Sequence, residues 1–127
     1  MSKIRESVVA TDLPSPSGPL AHGVATESLV FVSGQTPVDP ETGQIPAGIS
    51  EQTRLVVERI GRVLNAAGAS WEGVVRVSAF LSSMDLLEEF NVAYRECVPE
   101  PYPARITVGA ELRGILVEMD AIAVRVR

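Results

Sequence analysis

One histidine, one lysine and one cysteine in 127 residues leave little room for several kinds of chemistry. With His22 alone, neither an HExxH motif nor any multi-histidine zinc site can be built within one chain, and no metal is expected. Lys3, near the N-terminal end, is a poor candidate for a Schiff base or for anchoring pyridoxal phosphate. Cys97 alone excludes an intrachain disulfide framework. GxGxxG is missing, and "VSGQTP" (32–37) has neither phosphate-loop nor nucleophile-elbow spacing. No cofactor is therefore expected. Aromatic residues make up 5%, basic residues form no block, and 16 carboxylates outweigh 11 Lys and Arg to give a net charge of −5. A nucleic-acid partner is not expected. Aliphatic and aromatic runs such as Leu29–Val32 are far too short to span a bilayer, so no membrane partner is expected. The opening "MSKIRESVVA" holds no long apolar stretch of the kind a secretion signal uses, and a cytoplasmic location is the expectation.

Carboxylates, arginines, hydroxyls, amides and backbone N–H groups remain for chemistry. The length suits a single domain, 1–127, with one core. "ESVVA" (6–10) reads as a first strand, followed by a Pro/Ser/Gly loop at 14–18. "SLVFVSGQ" (28–35) is a second, ending at Gly34, and Pro40 and Gly43 reverse the chain after it. Ser50 is the expected N-cap of a helix from 51 to Gly68, with Val56, Ile60, Val63, Leu64 and Ala67 on one face. "VVRVSAFL" (74–81) is a strand. A second helix begins in "SSMDLL" and runs to about Val98, with Leu86, Phe90, Ala93 and Tyr94 on one stripe. "ARITVG" (104–109) and "ILVEMDAIAVRV" (115–126) complete a ββαβαββ order, an α+β domain with both helices on one face of a mixed sheet.

The last strand is apolar on both sides. Leu116, Ile122, Val124 and Val126 alternate with Ile115, Val117, Met119, Ala121 and Ala123. Two helices cover one sheet face, so another copy of the chain is expected to cover the other. Glu118 and Asp120 share a face about 7 Å apart, where mutual repulsion raises a carboxyl pKa toward that of a general acid or base. The same pair also suits ion pairs with arginines of another subunit. Arg105, at the start of "ARITVG", shares its strand face with Thr107. It admits three readings: an ion pair with Glu118 or Asp120, a solvated strand end, or a grip on an anionic ligand. Cys97, Trp71 and Tyr94 read as packing, and His22 as a loop residue near enough to approach a cleft.

Four segments, "SGQTPVDPETGQIP", "FNVAY", "PYPARITV" and "VEMDAIAVRV", resemble the RidA/YjgF family of enamine/imine deaminases, in order and in spacing, from about Gly18 to the C-terminus. The resemblance implies a chorismate-mutase-like fold and a homotrimer with three clefts between subunits. It implies that Arg105 clamps a substrate carboxylate, a task suited to a planar, permanently charged guanidinium. It further implies that Ser33 and Gly34 line the cleft, that Asn91 donates or orients, and that Asp120 activates water for attack on an imine carbon.

Three positions depart from the family pattern. Leu20 stands where a tyrosine is usual, and Thr107 where a cysteine is usual, its backbone N–H still available. Asp120 stands where a glutamate is usual, one methylene shorter. The implied activity is cofactor-free hydrolysis of a carboxylate-bearing imine or enamine to a keto acid and ammonia. The alternatives are a non-catalytic trimer that binds small carboxylates or keto acids, and a deaminase or hydrolase acting on a larger imine. Glu118 and His22 stand as further candidates for the cleft.

Overall fold

Where apolar residues alternate along the chain the structure has strands, and where they recur every three or four residues it has helices. The structure is a computed structural model that describes residues 4–125; Lys3 and Val126 lie outside the described residues. The strands are β1 (Glu6–Val8), β2 (Gly23–Ala25), β3 (Leu29–Gln35), β4 (Val74–Leu81), β5 (Ala104–Gly109) and β6 (Val117–Val124). The helices are α1 (Ile49–Ala66) and α2 (Leu87–Cys97), with 3-10 turns at Trp71–Gly73 and Met84–Leu86. One mixed sheet runs β1-β2-β3-β6-β4-β5, antiparallel throughout except for the parallel pair β4–β5. That pair is joined through α2, as a parallel pair requires a crossover. Helix α1 joins β3 to β4 and lies across β6, the strand between them.

Both helices pack on one face of the sheet, as the residue pattern predicts. Val56, Ile60, Val63 and Leu64 of α1 and Phe90 and Ala93 of α2 meet Val30, Val77, Val117 and Met119 of the strands in a single core. The opposite face is open. Phe31, Ile106, Val108 and Val124 are 41, 47, 38 and 43% exposed, on three different strands. Isolated apolar side chains are ordinary on a surface, and here several face the same way.

Three local expectations differ from the structure. The strand β2 is absent from the sequence reading because it is three residues long and begins with glycine, too short to show alternation. Gly23 is required there: a Cβ would lie 2.8 Å from the Phe31 carbonyl oxygen across the ladder. The N-cap of α1 is Gly48 rather than Ser50, which lies within the first turn. Gln52 organises this end instead, donating from Nε2 to the Pro46 carbonyl at 2.7 Å and accepting the Leu116 N–H at 2.8 Å. The second strand runs one residue past Gly34, because the shift in β3–β6 register between Val32 and Gln35 turns Gln35 back to the buried face.

Candidate active site

Register decides which way each functional side chain points. Arg105 pairs with Val77, which pairs with Ala121, and both neighbours are buried under the helices. Arg105 therefore rises from the helix-covered face of the edge strand β5. It lies against α2: its Nη2 donates to Asn91 Oδ1 at 2.7 Å. Its guanidinium carbon sits 4.6 Å from the Tyr94 ring centroid and 5.2 Å from that of Phe90, within cation–π range. Phe90, Asn91 and Tyr94 fall together because residues three and four apart share a helix face. Arg105 forms no ion pair among the described residues, which removes a bridge to Glu118 or Asp120 of the same chain as an account of it. Beside it opens a cavity of about 250 Å³ bounded by Asn91, Tyr94, Tyr102 and Pro103. The Tyr94 hydroxyl is buried with no partner among the described residues, and burial pushes its pKa up, partly offset by the Arg105 charge. Thr107, two residues along the same face, likewise has a buried, unpartnered Oγ1.

Glu118 and Asp120 point the other way. Asp120 pairs with Ser78 and Glu118 with Phe80, on the open face. An Asp120 Oδ1 accepts the Ser78 N–H at 3.2 Å. Glu118 lines a second cavity of about 390 Å³, walled by the 14–20 loop and the Gly34–Thr36 bend, with Leu20 and Arg59 among its walls. Asp120 lines neither cavity. Burial, and after it the neighbouring Asp120 charge, raises the Glu118 pKa. A Cβ on Gly34 would collide with Glu118 Oε2, so glycine is what lets the carboxylate lie against the bend.

The remaining candidates separate by what their polar atoms already do. Ser33 donates from Oγ to the Ala21 carbonyl at 2.7 Å and so ties the bend to the preceding loop. Leu20 is 53% exposed and forms an apolar wall beside Glu118. His22 is buried rather than a surface-loop residue: Nδ1 accepts the Ala10 N–H at 3.0 Å and Nε2 donates to the Pro14 carbonyl at 2.8 Å. Both nitrogens are occupied by backbone. Cys97 donates from Sγ to the Ala93 carbonyl at 3.0 Å, and burial pushes its thiol pKa up, so it is an unreactive packing residue. Trp71 packs on α1 and donates to the Val57 carbonyl at 3.0 Å. Among the described residues no group of three or more His, Cys, Asp or Glu side chains could hold a metal, and no helix is long and apolar enough to cross a membrane.

A chain of this sequence and sheet topology has counterparts among known proteins. The family model described as endoribonuclease L-PSP matches residues 10–125. A RutC family protein of Pyrococcus abyssi is 38% identical over 122 residues, covering 94% of this chain and 96% of its own. TdcF of Escherichia coli K12, provisionally named a reactive intermediate deaminase, is 35% identical over 130 residues and 98% of each chain. The chain belongs to the RidA/YjgF family. Structures agree with this membership. E. coli TdcF, solved with bound serine, superposes with a TM-score of 0.85 at 33% identity over 98% of this chain and all of its own. The E. coli YjgF product gives 0.87 at 27% identity over 95% and 99%. The chorismate-mutase-like α+β fold of the RidA/YjgF family is thus the fold of this chain, and at the level of the family an imine or enamine deaminase role goes with it.

Proposed function

We propose that this protein is a cofactor-free deaminase that hydrolyses a carboxylate-bearing imine, or the enamine that tautomerises to it, to a keto acid and ammonia. One observation carries the reading: Arg105 is held by Asn91 and Tyr94 beside an open cavity, with no carboxylate paired to it among the described residues. A guanidinium so held is prepared for a planar anion, which it can grip through two parallel N–H bonds. TdcF, a relative, binds serine, itself an amino acid with a carboxylate, in its solved structure.

Arg105 and Glu118 stand on opposite faces of one sheet and line cavities with no residue in common. A ligand that meets both must lie between two copies of the chain. The uncovered apolar face supports such a contact, and the reading includes a homotrimer with three composite clefts. In each, Arg105 with Asn91 and the Thr107 segment comes from one subunit. Glu118, Asp120, Gly34 and Leu20 come from its neighbour.

The chemistry needs one base and one orienting cation. The imine reacts as its protonated form: the carboxylate takes a proton from water as the water oxygen bonds to the iminium carbon, and the C=N electron pair moves to nitrogen to give a neutral amine. The carboxyl then returns its proton to that nitrogen, the C–N bond breaks as the hydroxyl oxygen forms the carbonyl, and the departing ammonia takes the hydroxyl proton and leaves as ammonium. The sequence suggests Asp120 for this base. The cavity favours Glu118, whose pKa, raised by burial and then by Asp120, brings it closer to a base that works near neutrality. The endoribonuclease activity in the family model's description gains no support here: the net charge is −5 and the one histidine is bonded to backbone at both nitrogens.

The test is ammonia and keto-acid release from imines generated in situ by an amino-acid oxidase. Wild type should exceed the buffer rate, and Arg105→Ala and Glu118→Gln should lose the excess. Keto-acid binding that depends on Arg105 without any acceleration would favour a binding protein instead.

A further inference from the structure

The cavity beside Glu118 carries a cation that the proposed chemistry does not use. Arg59 projects from α1 into its wall. Its Nε donates to Gln35 Oε1 at 3.2 Å and its Nη1 to the Val38 carbonyl at 2.8 Å. These two bonds fix the guanidinium against the segment that follows Gly34. Its Nη2 has no hydrogen-bond partner among the described residues and is not among their fully buried, unpartnered atoms, so it keeps contact with solvent. No carboxylate pairs with Arg59 among the described residues, whereas Arg62, one turn on, is paired with Asp12 and Glu58.

A half-buried cation fixed by neutral groups is an unbalanced charge. Burial, and then the nearby Arg62 charge, push its pKa down. An anion in the cavity would relieve both effects. Glu118 does not serve as that anion within the chain: the two line the same cavity, but no ion pair joins them among the described residues. At about 390 Å³ the cavity falls within the range of roughly 300–1,000 Å³ usual for small-molecule sites. It is larger than a three-carbon imino acid needs.

We propose that Arg59 is a second anion-binding group of the cleft, and that the substrate class is an imine or enamine with two carboxylates. One carboxylate meets Arg105 and the distal one meets Arg59, with the C=N carbon held between them near Glu118 and Gly34. This assignment rests on the composite cleft proposed above and narrows its substrate from imino acids in general to imino diacids. Arg59 takes no part in the bond-making steps. It selects the substrate.

Two keto acids of equal chain length test this as product probes: 2-oxoglutarate and 2-oxopentanoate, titrated calorimetrically into the wild-type oligomer. An arginine–carboxylate contact in a half-buried site should favour the diacid by about tenfold or more. The 5-monomethyl ester of 2-oxoglutarate, which keeps the shape and removes the distal charge, should bind like 2-oxopentanoate. Arg59→Gln should erase the preference by weakening the diacid alone, and Arg59→Lys should keep part of it. Equal affinities in wild type, an ester that binds as well as the diacid, or a preference that survives Arg59→Gln would each overturn the assignment. The ester comparison needs no variant, so it decides the matter even if Arg59→Gln fails to fold. Arg105→Ala should weaken all three ligands together. An Arg59-dependent preference for the diacid without Arg105 dependence or imine turnover would uphold Arg59 and refute the deaminase reading. Binding of none of the ligands at millimolar concentration would refute both.

Discussion

Arg105→Lys keeps the charge of the proposed clamp and removes its shape. In the structure one guanidinium nitrogen is engaged by Asn91 Oδ1 at 2.7 Å, and the guanidinium carbon sits over the Tyr94 ring, 4.6 Å from its centroid, leaving the other N–H groups for a ligand. An ammonium cannot bond Asn91, keep its charge over the ring and present two parallel donors at once. The variant should lose one of two charge-assisted bonds to the ligand, about 1.5–3 kcal/mol, or roughly 10- to 150-fold in affinity. Loss of stacking on Tyr94 adds about 0.5–1 kcal/mol to the fold's cost, a small fraction of a domain's stability. Arg105→Met should weaken binding further, with a similar effect on stability. The assay is calorimetric titration of a keto acid, beside thermal unfolding of each variant without ligand. Wild-type affinity in Arg105→Lys would refute bidentate recognition. Unchanged affinity in Arg105→Met would refute the clamp altogether.

Glu118 has a raised pKa, so the fold binds its proton more tightly than the unfolded chain does. Its ionisation therefore costs stability as pH rises from the unfolded to the folded value, and Glu118→Gln should gain on wild type above that window in pH-dependent unfolding. The acid limb of the kcat/KM profile should lie above the ordinary glutamate value of 4.5, and Asp120→Asn should move it down by removing the like charge; a limb that Asp120→Asn leaves in place would contradict the coupling. Gly34→Ala should displace the Glu118 carboxylate with which a Cβ collides, lowering turnover about a hundredfold while the thermal midpoint changes little. Normal turnover in that variant would exclude Glu118 from the reaction. His22→Ala leaves the buried Ala10 N–H without its acceptor and should destabilise by about 1–3 kcal/mol in denaturant unfolding, with the preference among imine substrates unchanged.

The elements that sequence makes legible here are those whose signal is repeated. Val56, Ile60, Val63 and Leu64 mark one face of α1 four times over, and the alternation through Val117, Met119, Ala121 and Ala123 marks β6 as firmly. The uncovered face was legible too, because Ile122 and Val124 had no helix left to cover them. What was not legible depends on contacts distant in sequence. The short strand β2 exists because β1 and β3 flank it. Gly48 caps α1 because Gln52 secures the Pro46 and Leu116 backbone beside it. His22 reads as a loop histidine in sequence, and its burial depends on the Ala10 and Pro14 backbone lying against its ring.

The candidate site divides in the same way. Arg105 stood out by its chemistry, an arginine entering a strand of small and apolar residues. That Arg105 faces the helices while the acidic pair faces away follows from sheet register, which one strand's sequence does not contain. Glu118 and Asp120 were equivalent by alternation, and what distinguishes them is the Gly34 bend and the 14–20 loop closing over Glu118. Arg59 gave no signal among the charged residues of α1, since its position matters only once the segment at Gln35–Val38 lies beside it.

The central claim, a cleft assembled from Arg105 of one chain and Glu118 of the next, is tested most directly by mixing two inactive variants. Arg105→Ala and Glu118→Gln chains, co-expressed and purified as mixed oligomers, should recover imine hydrolysis. In the proposed cyclic trimer, every ring that contains both variants has one interface pairing an intact Arg105 with an intact Glu118, so activity should approach about one third of wild type. Mixed oligomers as inactive as either parent would contradict the composite site and require both residues to act from the same chain.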